Sequence, residues 1–368
     1  MVKMRGAIVA AALAVLFPAS FVLAPPAGSQ SAPAVTEKRD IPYASGAGPS
    51  HLLDAFLPTN GANDRPAVIF VHGGGWTKGE KGRLDPFAER VASEMGWVGF
   101  SINYTLDPPR YPAEWQDVVT AVAWIRDHAK DFGIDPEKLG LVGTSAGGNI
   151  AQMAAFSGKG SLTTGSRVRA IVTWSGPPDL KLLVSPSTPC NRPVECNRER
   201  KRVQAVEEYL GCSPTQCPQK YEEGSPVTYV DPSDPPILLA NSQDELVPLD
   251  GAQEMVQRLK ANAVPNDLHV LPGDRHAENY ASDIWDATVQ WLGQYMSHQP
   301  PRQTPSPTPS GSPLALPPPT GSSGPSRGLI AVIAIGAGIA LLILFVALAR
   351  RPRGKRPSAG AGGNPPAG

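Results

Sequence analysis

The sequence predicts an α/β protein on a mostly parallel, doubly wound sheet. Two observations carry this expectation. Apolar runs short enough for buried strands alternate with stretches whose apolar residues recur at helical spacing, and two of the runs end in glycine-rich turns. In chain order, Val68 to Val71 reads as a strand running into His72-Gly73-Gly74-Gly75-Trp76, and Trp97 to Asn103 reads as the next. Glu114 to Lys130 carries Trp115, Val118, Val119, Val122 and Ile125 on one helical face. Leu139 to Val142 is a buried strand that meets a helix through Gly143-Thr144-Ser145-Ala146-Gly147. Val168 to Trp174, Pro236 to Asn241 and Leu268 to Gly273 supply later strands, with amphipathic helices at Ala252 to Leu259 and Ile284 to Leu292.

The serine turn is the most informative segment. G-x-S-x-G between a strand and a helix is the layout of a nucleophile elbow, whose tightness demands small neighbours such as Gly143, Ala146 and Gly147. A turn serine capping its helix gives the same five residues, so the elbow needs partners. The HGGG segment supplies one. Its glycines let the backbone aim the amides of Gly74 and Gly75 at a point near Ser145, where with the amide of Ala146 they receive the oxyanion of acyl transfer.

HGGG followed by G-x-S-A-G-G resembles the α/β-hydrolase esterases and lipases of the hormone-sensitive-lipase-like carboxylesterase group, over roughly residues 40 to 298. Thr144 stands where that family often has Asp, and Trp76 where Phe is common; Asn103-Tyr104-Thr105 resembles its strand-end tyrosine segment. The resemblance implies the chain order Ser, acid, His. Asp244, after the strand Pro236 to Asn241, is the expected acid, with Glu245 and Asp250 as weaker candidates. His276, the one histidine between the final strand and the closing helix, is the expected base. His269 reads as a packed or edge strand residue, His51 and His128 as surface positions, His72 as a holder of the glycine loop, and His298 as the start of the tail. No pair of histidines has zinc-ligand spacing, and neither a metal nor a cofactor is expected.

Residues 177 to 231 break the strand and helix rhythm, with many prolines, a charged run from Arg198 to Arg202, and all four cysteines. In this fold an insertion at that point reads as a cap. Two disulfides are expected; Cys190 with Cys196 and Cys212 with Cys217 is the local pairing, but three connectivities are possible.

The termini point to export and anchoring. Lys3 and Arg5 precede an apolar run to Ala24, and Ala32-Pro33-Ala34 offers cleavage after residue 34, a retained signal anchor being the alternative. Residues 299 to 327 hold ten prolines among Ser, Thr and Gly and read as a semi-rigid stalk. Leu329 to Ala349 is an uninterrupted apolar stretch long enough to span a membrane, and Arg350, Arg351, Arg353, Lys355 and Arg356 place the tail, residues 350 to 368, in the cytoplasm. Leu316-Pro317-Pro318-Pro319-Thr320-Gly321 resembles an LPxTG sorting signal with one proline too many, so wall attachment is a minor alternative.

Lys plus Arg and Asp plus Glu are equal at 33 each, which gives no global field toward nucleic acid. The expected protein is thus an extracytoplasmic, membrane-anchored serine esterase acting on small-molecule, lipid or glycan esters. A lipase or glycan deacetylase on the same triad, a serine peptidase, and a binding module on a hydrolase scaffold are the alternatives.

Overall fold

The computed structural model describes residues 34–297, apart from 47, 107–110, 159 and 186–189. The stalk, the sorting-signal stretch, the apolar span at 329–349, the basic tail, His298 and all but the last residue of the signal segment lie outside the described residues. Among the described residues, no helix is long and apolar enough to cross a membrane.

The chain runs β1 (Val35–Pro42), β2 (Leu52–Pro58), β3 (Arg65–Val71), α1 (Asp85–Met95), β4 (Val98–Ile102), α2 (Ala113–Asp127), α3 (Ala129–Phe132), β5 (Ile134–Thr144), α4 (Ala146–Phe156), β6 (Ala170–Trp174), α5 (Leu180–Val184), α6 (Pro193–Leu210), α7 (Pro218–Glu223), β7 (Ile237–Ser242), α8 (Leu249–Ala261), β8 (Asn266–Leu271) and α9 (Ala281–Met296). The eight strands form one sheet in the order β1-β2-β4-β3-β5-β6-β7-β8. β3 through β8 are parallel, and β2 and β1 are added antiparallel at one edge. The central strands β3 to β7 read as continuous apolar runs because helices cover both of their faces. One apolar cluster joins β3, β4, α2, α4 and α8, and the other joins α1 and α9 to the opposite face.

Strand order reverses between β3 and β5. Successive crossovers carry β4 to one side of β3 and β5 to the other, so the loops leaving β3 and β5 diverge and open a crevice at the carboxyl ends of the strands. The register places Val71 opposite Gly143, which sets the HGGG loop beside the serine elbow. His269 lies on the edge strand β8, as expected, and pairs with Asp267 at 3.2 Å.

The insertion folds as α5, α6 and α7, stapled by Cys190–Cys196 and Cys212–Cys217, the two local pairs. Its neck is closed by one buried side chain: Asn149 of α4 donates through Nδ2 to the carbonyls of Pro177 (3.0 Å) and Gly224 (3.1 Å). The amide of Val227 adds a bond to the carbonyl of Pro178 at 3.0 Å.

Candidate active site

Ser145 sits between the end of β5 and the first residue of α4 with φ 52° and ψ −123°. Left-handed backbone is costly for a serine and persists only where its surroundings over-determine it. Here the Ser145 amide is tied to the carbonyl of Trp174 (2.8 Å) and its carbonyl accepts from Gly148 (2.9 Å). A Cβ on Gly147 would lie 2.2 Å from the carbonyl oxygen of Val71, so β3 can approach the elbow only past glycine. These contacts turn the half-buried Ser145 toward the crevice.

His276 follows β8, and its Nε2 lies 2.9 Å from Ser145 Oγ. Its Nδ1 is hydrogen-bonded to Oε2 of Glu245, not to Asp244. The expected acid is therefore corrected by one position. Asp244 is exposed, its amide donates to the carbonyl of Gly273 (3.0 Å) and its carbonyl accepts from Arg198. The Glu245 side chain is 0% exposed. Its Oε1 accepts from the Ser242 amide (2.8 Å) and the Ser175 hydroxyl (2.9 Å). The Ser175 oxygen in turn accepts from the Ala277 amide (2.8 Å) and lies 2.8 Å from the Tyr280 hydroxyl. An ionised carboxylate on Nδ1 fixes that nitrogen as the donor and leaves the Nε2 lone pair facing the serine.

The glycine loop lies against Ser145. A Cβ on Gly73 would stand 2.9 Å from Ser145 Cβ, which measures how closely the loop is applied to the elbow. Gly74 has φ 137°, and a Cβ there would meet the carbonyl oxygen of Lys78 at 1.7 Å, so no other residue fits this turn. Ala146 is the first residue of α4, and its amide has no acceptor within the helix. Buried His72 anchors the loop: Nδ1 meets the Gly73 carbonyl at 2.9 Å, and the ring stacks on Tyr104 at 4.4 Å. Burial lowers its pKa to about 4, so it is a neutral brace at ordinary pH.

The cap helix α6 reaches both sides of the site. Tyr209 stacks on Trp76 with centroids 4.8 Å apart, and Ala205 packs over Gly75. Arg202 donates to the carbonyls of Leu183 (2.8 Å) and Leu246 (3.2 Å), fixing α6 to the acid loop. Between α6 and that loop lies a cavity of about 550 Å³, lined by residues including Arg192, Arg198, Gln243, Asp250 and Gln253 but not by Ser145 or His276. Among the described residues no three His, Cys, Asp or Glu side chains gather as a metal site requires. Asp250, the third candidate acid, lines the cavity rather than meeting His276.

A family model described as BD-FAE matches residues 53–259. Esterase LipQ of Mycobacterium tuberculosis is 30% identical over 258 residues, 67% of this chain, which spans 58% of that protein's length. Esterase LipC of the same organism is 31% identical, covering 74% of this chain and 68% of that protein. Among solved structures, a truncated carbohydrate esterase from gut microbiota superposes with a TM-score of 0.64 at 21% identity, over 73% of this chain and 99% of that one, a likeness of fold. The resemblance carried by the HGGG and G-x-S-A-G-G segments is thus borne out, and the chain belongs to the BD-FAE family on an α/β-hydrolase fold.

Proposed function

We propose that the protein hydrolyses carboxylic esters through Ser145, His276 and Glu245. The observation that carries this reading is the continuous line from the Ser145 hydroxyl through His276 to a buried, doubly anchored carboxylate. As Ser145 attacks an ester carbonyl, its proton passes to Nε2 of His276, and Glu245 stabilises the imidazolium and holds its tautomer. The amides of Gly74, Gly75 and Ala146 receive the oxyanion, a group whose single donors are each worth about 10²- to 10³-fold in kcat. His276 returns the proton to the leaving alcohol, and the acyl-serine is then released by water attack with the same residues in the same roles.

The proposed substrates are small esters. Names of relatives such as esterase LipQ and esterase LipC support the reaction class. A glycan ester is the second reading, favoured by the Arg192, Arg198, Gln243, Asp250 and Gln253 side chains that line the cavity beside the acid loop. We further propose that residues 1–34 direct export, that 329–349 anchor the chain, and that the catalytic domain faces outward on the 299–327 stalk, as Lys3, Arg5 and the basic tail support.

The test is fluorophosphonate labelling of the full chain in its host membrane, with p-nitrophenyl acetate and butyrate turnover followed alongside. Label on Ser145 and loss of both label and turnover in Ser145→Ala is the expected result. Turnover undiminished in Ser145→Ala would refute the reading. Protease treatment of intact cells should remove the catalytic domain and spare an epitope on the tail; a protected catalytic domain would refute the topology.

A further inference from the structure

The residue before the nucleophile is tied to the residue two beyond the histidine. Thr144 is fully buried, and its Oγ1 accepts a hydrogen bond from the amide of Gly73 at 3.1 Å. Its hydroxyl proton goes to Oε1 of Glu278 at 2.8 Å. Glu278 is 16% exposed and is held by the Nε of Arg83 at 3.4 Å. One hydroxyl therefore joins three loops: the glycine loop after β3, the elbow after β5 and the histidine loop after β8. The Gly73 bond lies immediately before the amides proposed to receive the oxyanion.

We propose that Thr144 and Glu278 are positioning residues that hold the glycine loop in register with Ser145, and that position 144 must both accept and donate because Glu278 faces it. This rests on the serine hydrolase reading above. The chemistry is specific. A hydroxyl accepts from Gly73 and still has a proton for the carboxylate. A carboxylate at 144 would accept from Gly73 equally well but would oppose Glu278, which lies 2.8 Å from the Thr144 hydroxyl, and two like charges in direct contact cannot both remain ionised without cost. Valine would fill the space, leaving the Gly73 amide and the Glu278 carboxylate without their shared partner.

The experiment is a set of variants of the full chain, read by kcat, KM, thermal midpoint and inhibition by an aryl trifluoromethyl ketone, which forms an oxyanion on the serine. Thr144→Val should lower kcat by about 10- to 100-fold, since a displaced oxyanion donor forfeits part of its contribution. KM should move by less than about threefold, inhibitor affinity should fall in parallel with kcat, and Thr144→Ser should restore most of the loss. Thr144→Asp should also be impaired. Adding Glu278→Gln to it replaces the opposing carboxylate by an amide donor and should recover at least about tenfold in kcat, a coupling that independent sites do not show. The proposal is overturned if Thr144→Val keeps wild-type kcat and inhibitor affinity, or if Thr144→Asp and Glu278→Gln combine additively. Should Thr144→Val fail to fold, Thr144→Ser and the Asp and Gln pair still decide. Turnover retained in Ser145→Ala sinks the hydrolase reading itself, whereas an inactive Ser145→Ala beside a fully active Thr144→Val sinks only this inference.

Discussion

Replacing Glu245 by glutamine separates the two adjacent acidic residues with little change in volume. In the native site Oε2 accepts from His276, while Oε1 accepts from the Ser242 amide and the Ser175 hydroxyl. The Ser242 amide is a fixed donor, so the glutamine must turn its carbonyl oxygen toward it. Its NH₂ group then faces His276 Nδ1 and makes that nitrogen an acceptor. The imidazole proton moves to Nε2, pointing at Ser145, where it cannot take the serine proton. A triad held in the wrong tautomer loses about 10⁴-fold in kcat, or about 5.4 kcal/mol of transition-state stabilisation. Asp244→Asn, at an exposed carboxylate, should stay within about threefold of wild type. Steady-state hydrolysis of p-nitrophenyl butyrate at pH 8, with the thermal midpoint measured alongside, is sufficient. A folded Glu245→Gln protein within tenfold of wild type, or a collapse of activity in Asp244→Asn, would refute the argument.

Ser175→Ala should lower kcat about tenfold while sparing KM, because Glu245 Oε1 keeps its bond from Ser242 but loses the hydroxyl donor. Tyr209→Phe should leave stability unchanged or raise it by about 1 kcal/mol in a denaturant titration, since the Tyr209 hydroxyl is buried without a partner among the described residues. His72 is lowered to about 4 by burial, so the unfolded chain binds the extra proton first as pH falls. Stability should therefore decline from about pH 6.5 toward pH 4, by about 2 kcal/mol at pH 5, and His72→Gln should flatten that part of the pH profile. Reduction of Cys212–Cys217 opens a short loop and should cost about 2 kcal/mol in the local stability of α6 and α7, read by hydrogen exchange; unchanged exchange there would contradict it.

The elbow and the glycine loop were legible because their constraints are local. Backbone crowding demands small residues at fixed offsets, and those offsets survive in the chain as letters. His276 was legible by position, as the histidine between β8 and the closing helix. The acid was not. Asp244 and Glu245 both follow β7, and which of them turns inward depends on the amide of Asp244 bonding Gly273, a contact with a loop that is distant in sequence. The first two strands were missed for a related reason. β1 is exposed along most of its length and shows no alternation, and β2 is buried on both faces while carrying Asp54, whose charge is met by Lys81 at 2.8 Å and Arg39 at 3.2 Å. The charged run at 198 to 202 read as a feature of the insertion without an orientation. In the fold Arg202 turns inward and serves as a strut to the backbone of α5 and the acid loop.

The neck closed by Asn149 makes the insertion a separable part. The two segments that bound it meet at one amide, and the entropy of closing a loop there grows only slowly with the number of residues it contains. Among the described residues, no hydrogen bond of the Ser145, His276 and Glu245 side chains originates between residues 178 and 223. What those residues contribute is a roof, through Ala205 over Gly75 and Tyr209 on Trp76. One roof can therefore give way to another over the same elbow, provided the incoming segment replaces the bonds that Arg198 and Arg202 make to the backbone of Asp244 and Leu246.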